Sequence, residues 1–213
     1  MTHLAKPGTE RRIREAVAAI YRLFDAPAPP TIDGCPCCIS TRSTDVLLTT
    51  PLQQISGQAL WRYVSGAFFT VGDQRDFRYL LPRILEISVC DPGNSIDPEI
   101  VLGKLRLAEW RTWKLDEQRA IEELVDAWFE QAFESDLAEV AEGWFGWNAE
   151  SVLCGAARAG MPLDRWLVRL SEPDAALVLV DMKTRFPSKP SGFWEDAPIG
   201  FRDLSAILGQ GEA

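Results

Sequence analysis

Apolar residues recur along most of this chain at three- and four-residue spacing, the period of a helix with one buried face. In residues 11–24 these positions are Ile13, Val17, Ile20, Tyr21 and Phe24. Similar patterns predict further helices over residues 57–69, 73–89, 97–107, 116–134, 171–180 and 201–208. No paired segments show the alternation of apolar and polar positions that is typical of strands.

Local signals set several of the predicted helix boundaries. Asp97-Pro98-Glu99 is a strong start signal, because Asp suits the N-cap and Pro suits the first helical turn. Residues 50–53, Thr-Pro-Leu-Gln, resemble a capping box. Pro82 is expected to kink the helix over residues 73–89 or to divide it. The apolar run at residues 175–180 predicts a largely buried helix.

These elements predict an all-α fold. We expect a single compact domain over residues 1–213, in which eight to ten short helices form an array of helical hairpins. No motif recurs at a fixed period, so a solenoid is the second interpretation. The Pro-rich segments at residues 26–30 and 187–192 are predicted loops of this one domain.

The charge of the chain is concentrated around its longest predicted helix. The formal net charge is −9, and residues 95–150 hold fourteen acids and five bases, which is also −9. On a helical wheel, one arc of the helix over residues 116–134 is apolar and the opposite arc is acidic. The carboxylates of this acidic face are Asp116, Glu123, Asp126, Glu130 and Glu134. Asp126, Glu130 and Glu134 stand four residues apart, and no base is interleaved with them at the spacing that would stabilise them.

Three interpretations of the acidic face stay open. It is a solvated surface that keeps the protein in solution, a docking surface for a cationic partner, or a cation site. Its one-sidedness favours docking, because a surface selected for solubility normally mixes both signs. A cation site is disfavoured, since Ca²⁺ loops use carbonyl ligands from irregular backbone.

A glycine-flanked aromatic segment, Gly143-Trp-Phe-Gly-Trp147, follows the acidic helix. In one interpretation the segment packs back into the core, as most large aromatic residues do. In the other, Trp144 and Trp147 form a partner-binding surface beside the acids, because Trp is enriched at the centres of protein interfaces.

The segment Gly34-Cys-Pro-Cys-Cys38 places Cys35 and Cys38 at the C-x-x-C spacing of half a zinc knuckle. A structural zinc needs four ligands, and no second pair follows, because Cys90 and Cys154 are single and the one histidine is His3. The cluster is therefore a set of reduced structural thiols, a zinc site or a redox site. A redox site is disfavoured by the absence of a βαβ context. We expect Cys90 and Cys154 to be small core residues.

Composition narrows the classes of function. The calculated pI of about 4.7 and the lack of a dense basic stripe disfavour nucleic-acid binding. No apolar run is long enough to span a membrane, and the N-terminus lacks the apolar segment of a signal peptide. With five cysteines, two of them adjacent, a disulfide framework is not expected, so we predict a reduced cytoplasmic protein. Nucleophile-elbow, phosphate-loop, dinucleotide and zinc-protease motifs are absent from the sequence.

Three stretches resemble an uncharacterised family of bacterial helical proteins. They are the cysteine motif at residues 34–38, Leu60-Trp-Arg-Tyr63, and the block Asp76-Phe-Arg-Tyr-Leu-Leu-Pro-Arg-Ile-Leu-Glu86. The resemblance covers about residues 21–113, roughly half of the chain. It implies a bacterial, all-helical protein and carries no activity or site with it.

Small size, localised acidity and the absence of a catalytic motif favour a binding protein of the immunity or antitoxin type. Such a protein would occlude a basic bacterial toxin, with the acidic face, Trp144 and Trp147 as its contact residues. This hypothesis requires neither catalytic residues nor a cofactor. The alternative is a zinc-binding regulatory protein or enzyme built around Cys35 and Cys38.

Overall fold

The computed structural model describes residues 6–35, 41–91, 96–186 and 190–209. Within these ranges it contains ten α-helices and no strand, which confirms the predicted all-α class. The helices are α1 (Pro7–Leu23), α2 (Thr41–Thr49), α3 (Gly57–Gly66), α4 (Gln74–Cys90), α5 (Pro98–Leu107), α6 (Leu115–Ala141), α7 (Asn148–Arg158), α8 (Asp164–Leu170), α9 (Ala176–Arg185) and α10 (Pro198–Ile207). None of the helices in the described ranges combines the length and the apolar composition needed to cross a membrane.

Most of the predicted helices lie where the apolar pattern places them, with shifts of a few residues at their ends. The helix predicted over residues 116–134 is longer and extends to Ala141 as α6. Pro82 lies inside α4, which continues through it as one helix. This helix starts on a capping box, because Asp73 accepts hydrogen bonds from the N–H groups of Arg75 and Asp76, at 2.8 and 3.1 Å, and Asp76 accepts one from the N–H of Asp73.

Two local predictions were wrong. Residues 50–53 do not cap a helix: a single 3₁₀ turn forms at Leu52–Gln54, and α3 begins later, where the Ser56 hydroxyl accepts from the N–H of Ala59 at 3.2 Å. The helix over the 175–180 run is not largely buried either. Leu177 and Val180 are 54% and 61% exposed, although Val178 between them is fully buried.

The contacts divide the chain into two compact units, and the predicted single domain stays a prediction. The first unit is Arg14–Glu123, and the second comprises the described parts of Met1–Ile13 and Leu124–Ala213. In the first unit α4 packs against α3 and α5. The buried side chains of α4 include Phe77, Leu80, Leu81, Ile84 and Leu85, which form the centre of the core of this unit.

In the second unit α7 packs against α10, and α8 packs against α9. The crossing of α7 and α10 is close: a Cβ on Gly200 would lie 2.5 Å from the Cβ of Ala157, so a larger residue would push the helices apart. Three aromatic rings close the core beside this crossing, those of Phe186, Trp194 and Phe201, with centroids 5.1–6.3 Å apart. This packing fixes α7 and α9, the two helices that support the candidate site.

Candidate functional site

The candidate site is the segment Gly143 to Trp147 of the second unit, which we call the aromatic loop. It starts where α6 ends in a Schellman motif, with hydrogen bonds from Gly143 N–H to Val140 C=O at 3.0 Å and from Trp144 N–H to Glu139 C=O at 2.9 Å. Gly143 has φ +86°, a conformation that side chains with a Cβ rarely adopt. The glycine therefore turns the chain out of the helix at a defined point.

The aromatic side chains of the loop face solvent. Trp144, Phe145 and Trp147 are 68%, 59% and 42% exposed, and the rings of Phe145 and Trp147 meet edge to face at 6.4 Å. Of the two sequence interpretations, packing into the core is therefore wrong for these three side chains. Adjacent exposed aromatic residues of this size are unusual on a protein that has no binding partner.

The backbone of the loop is held from inside the protein at Gly146, which is buried. Its N–H donates to Asp181 Oδ2 at 3.3 Å, and its carbonyl accepts a short hydrogen bond from Arg185 Nη2. A Cβ at this position would lie 2.7 Å from the Cβ of Asp136, so a side chain does not fit here. The loop is thus fixed at its centre, while the residues on either side of Gly146 are displayed.

Arg185 is the hub of a buried charge cluster beneath the loop. Its Nε contacts Asp181 at 2.9 Å and its Nη1 contacts Glu150 at 3.0 Å, and the three side chains are 3%, 7% and 2% exposed. The guanidinium carbon lies 3.9 Å from the ring centroid of Trp147, so an exposed aromatic side chain rests on a buried cation. Buried charges are stable only when each is paired and hydrogen-bonded, and the cluster meets this condition.

Glu150 extends the cluster towards the segment before α10. Its Oε1 accepts hydrogen bonds from the N–H of Ser191 at 3.2 Å and from Trp194 Nε1 at 3.3 Å. One carboxylate thereby connects α7 with the aromatic core of the unit. Movement of the loop relative to α7 and α9 would break charge-assisted hydrogen bonds, which are stronger than neutral ones.

Asp136 holds the other end of the loop. This α6 side chain is fully buried and accepts from the N–H of Asn148 at 2.9 Å, the Nδ2 of Asn148 at 2.8 Å and the N–H of Ala149 at 2.8 Å. It therefore caps the first turn of α7 from another helix. Burial away from water raises the pKa of Asp136 to about 6, and the hydrogen bonds from Ala149 and Asn148 limit the rise.

The acidic face predicted from the sequence is divided between the two units. In the first unit, Asp116 and Glu123 are exposed. In the second unit, three acids form ion pairs: Asp126 Oδ1 lies 2.7 Å from Arg165 Nε, Glu130 Oε1 lies 3.4 Å from Arg169 Nε, and Glu134 Oε1 lies 3.6 Å from Lys6 Nζ. These bases come from α8 and from the residue before α1, so helical spacing on α6 does not reveal them.

The pairing changes what the acidic face can do. Glu134 also accepts from the Thr9 hydroxyl and from the Lys6 N–H, both at 2.9 Å, and its side chain is 12% exposed. Burial raises the pKa of Asp126, although Arg165 opposes the rise. Asp126, Glu130 and Glu134 thus contribute to the internal structure of the second unit, and their charge is partly neutralised there.

The cysteine motif is described only in part. Cys35 is half-buried, and its N–H donates to the carbonyl of Thr70 at 2.7 Å, whereas Cys38 lies outside the described residues. Within the described residues, no three His, Cys, Asp or Glu side chains are grouped as metal ligands. The zinc site stays a prediction. Cys154 is buried as expected, but Cys90 is exposed, so its assignment to the core was wrong.

Comparison with protein-family models, with curated proteins and with solved structures found no match to this chain. The resemblance noted for residues 21–113 therefore stays a prediction.

Sequence reasoning identified Trp144 and Trp147 but missed the residues that hold them. Asp181 and Arg185 stand one turn apart on α9, but both are far in sequence from Asp136 and from the loop, and no short motif connects them. One signal was available for Asp136, which falls on the apolar arc of α6, three residues after the buried Phe133. A carboxylate in a row of core positions indicates a buried polar interaction.

Proposed function

We propose that this protein binds another protein through the aromatic loop, and that the partner presents a basic surface. The observation that carries the proposal is the contrast inside the loop. Trp144, Phe145 and Trp147 are exposed, while Gly146 between them is fixed by Asp181 and Arg185. Trp is enriched among the residues that dominate binding energy, and a loop fixed beforehand loses little conformational entropy on binding.

The sign of the partner's charge follows from the surroundings of the loop. The last turn of α6 contains no base, and Glu139 and Glu142 precede the loop directly. The chain as a whole carries a net charge of −9. A negative surface accelerates association with a cationic protein and repels nucleic acid and anionic membranes.

The finer form of the proposal is an inhibitor of the immunity or antitoxin type, which occludes a basic bacterial toxin. Its support is the combination of a rigid aromatic anchor with an acidic surround. Inhibitors of enzymes that act on nucleic acid can place carboxylates where the phosphate backbone would bind. The exposed acids Asp116 and Glu123 would act by steering, and the paired acids of the second unit would act chiefly as structure.

The test starts by identifying a partner and then measures its affinity. Immobilised protein captures binders from a lysate of its source cells at low salt, and each candidate is purified and titrated against the wild type. We expect a basic protein that binds in a one-to-one complex. Trp144→Ser should weaken this complex by about thirtyfold or more, the effect of losing one dominant contact residue. Ile199→Ser, at a position that is 67% exposed outside the loop, is the matched control.

The docking surface and the inhibitor function can be contradicted by different results. Equal affinities for the Trp144→Ser variant and the wild type would remove the loop from the interface, and a partner of acidic pI would contradict the charge argument. Self-association of the wild type that Trp144→Ser abolishes would make the loop a homodimer contact instead. If the partner binds as expected but does not arrest growth, or co-expression fails to rescue growth, the inhibitor function is wrong and the docking surface remains.

A further inference from the structure

The first unit contains a cleft of about 430 Å³ that is unrelated to the aromatic loop. Its walls come from the end of α1, the first turns of α4 and the start of α6. The lining side chains used below are Phe24, Pro27, Arg75, Arg78, Lys114 and Glu117. The volume falls in the range of sites that hold small organic molecules, and the lining combines apolar surface with a few charged groups.

Arg78 is held rigidly in this cleft by two aromatic rings. Its guanidinium carbon lies 5.1 Å from the ring centroid of Phe24 and 4.4 Å from that of Trp113, and the two rings meet edge to face at 5.5 Å. Its Nη2 donates to Glu117 Oε1 at 2.7 Å. An arginine fixed in this way presents its planar fork in one orientation, which favours recognition of a planar anion such as a carboxylate.

The cations of the cleft differ in how much of their charge is already matched. Arg75 contacts the buried Asp76 at 3.2 Å and donates to the carbonyl of Thr31. Among the described residues, Arg78 has one carboxylate partner, Glu117, and Lys114 has no ion-pair partner. Asp25 also lines the cleft, and the carboxylates of Asp25 and Glu117 disfavour ligands that carry more than one negative charge.

Several backbone donors at the two helix starts are already hydrogen-bonded within the protein. Asp73 accepts the N–H groups of Arg75 and Asp76, and Glu117 accepts the N–H of Lys114 at 3.1 Å. Side chains would therefore provide the binding. The lining therefore selects a ligand that has an apolar body and a single negative charge.

We propose that this cleft binds a small monocarboxylic acid, whose carboxylate pairs with Arg78 and Lys114 and whose apolar body packs against Phe24 and Pro27. Phosphate and dicarboxylates fit the same cations less well because of the charge of Glu117. Neutral amides of the same shape lack the charge that Lys114 would neutralise. The site belongs to the first unit, so its test is independent of the test of the proposed protein docking.

The experiment titrates the full chain with butyrate, phenylacetate and benzoate, and follows amide and indole resonances by NMR. We expect saturable shifts at Phe24, Arg78 and Trp113 for at least one acid, and no saturation with benzamide. Lys114→Ala should weaken binding of the acid about tenfold, which is the effect of losing one charge-assisted hydrogen bond. Arg106→Ala is the matched control, because Arg106 is an exposed base of the same unit outside the cleft lining.

Several results would overturn the assignment. They are the absence of saturable shifts at the cleft with every acid up to its solubility limit, equal weakening by Lys114→Ala and Arg106→Ala, and tighter binding of phosphate than of the acids. Arg78→Lys gives a second check that keeps the charge but removes the planar fork. If the acid binds to this variant with wild-type affinity, Arg78 does not recognise the carboxylate.

Discussion

Arginine–carboxylate pairs occur in two settings within the second unit, and water reaches them to different extents. Beneath the aromatic loop, Arg185 and its partners Glu150 and Asp181 are at most 7% exposed. On the acidic face, the pairs of Asp126 with Arg165 and of Glu130 with Arg169 have side chains that are 19–40% exposed. The same chemical groups therefore act in media of very different polarity.

The difference indicates what each set of pairs is for. A half-exposed pair gains little, because water screens the charges and solvates them almost as well when apart. A buried pair gives up hydration, and removal of one partner leaves an unmatched charge inside the protein. Apolar residues would fill the core beneath the loop without that penalty, so the charges there are best explained by the position they impose on Gly146.

The largest expected effect comes from Arg185→Met, which leaves Glu150 and Asp181 buried without their cation. We expect the free energy of unfolding at neutral pH to fall by roughly 3–5 kcal/mol. Urea denaturation measures this, with Arg165→Met as the control, for which we expect a loss of about 1 kcal/mol or less. Similar losses for the two variants would show that burial does not separate the two settings.

The second effect is a pH dependence that Asp136 confers. Because its pKa is raised to about 6 from the ordinary value of 3.8, the folded protein holds this proton more tightly than the unfolded chain. Stability from this group is therefore highest at low pH and is lost as the pH rises from about 4 to about 6, by up to about 3 kcal/mol. Denaturation across this range should show the loss in the wild type relative to Asp136→Asn. Parallel pH profiles would mean that the carboxylate is hydrated.

A smaller effect distinguishes the acids within the acidic face. Glu130→Gln removes the charge that faces Arg169 and should lower the free energy of unfolding by about 0.5–1 kcal/mol. Glu123→Gln, at an exposed position of the same helix, should change it by about half a kcal/mol or less. The difference should shrink at high salt. If the two variants are equal at low salt, the pairing with Arg169 contributes nothing.

The smallest effect on stability is expected for Trp144→Ser. The side chain is 68% exposed, so the free energy of unfolding should change by about half a kcal/mol or less even though partner affinity falls. Thermal denaturation of this variant beside the Ile199→Ser variant measures it. A loss of several kcal/mol would place Trp144 in the core and would contradict its assignment as a contact residue.

The helices that the sequence predicts well carry their own local signals. α5 begins at Asp97-Pro98 and α1 has a regular apolar face, and both lie close to the predicted bounds. α7 was missed because its cap is not local: Trp147 stands at the N-cap without a side-chain hydrogen bond, and the cap comes from Asp136. α8 was missed because its seven residues are too few to show a period.

The residues of the candidate site also differ in whether the sequence could predict them. Its exposed aromatic residues are adjacent in sequence and flanked by glycines, so composition and spacing were enough to find them. The exposure of these residues was not predictable, because it depends on Asp181 and Arg185, which lie more than thirty residues later. The partners of the acidic face were hidden for the same reason, since Arg165 and Arg169 are on α8.

Because Asp136 caps α7, the aromatic loop and α7 should open together in one local unfolding event. A fluctuation that frees the loop from α6 must break the hydrogen bonds that this carboxylate accepts from Asn148 and Ala149, and fraying of α7 must break the same bonds. In hydrogen–deuterium exchange, the amides of these two residues and of Gly146 should therefore share one opening free energy. The aromatic loop would keep its shape until that single event occurs and would then lose it entirely.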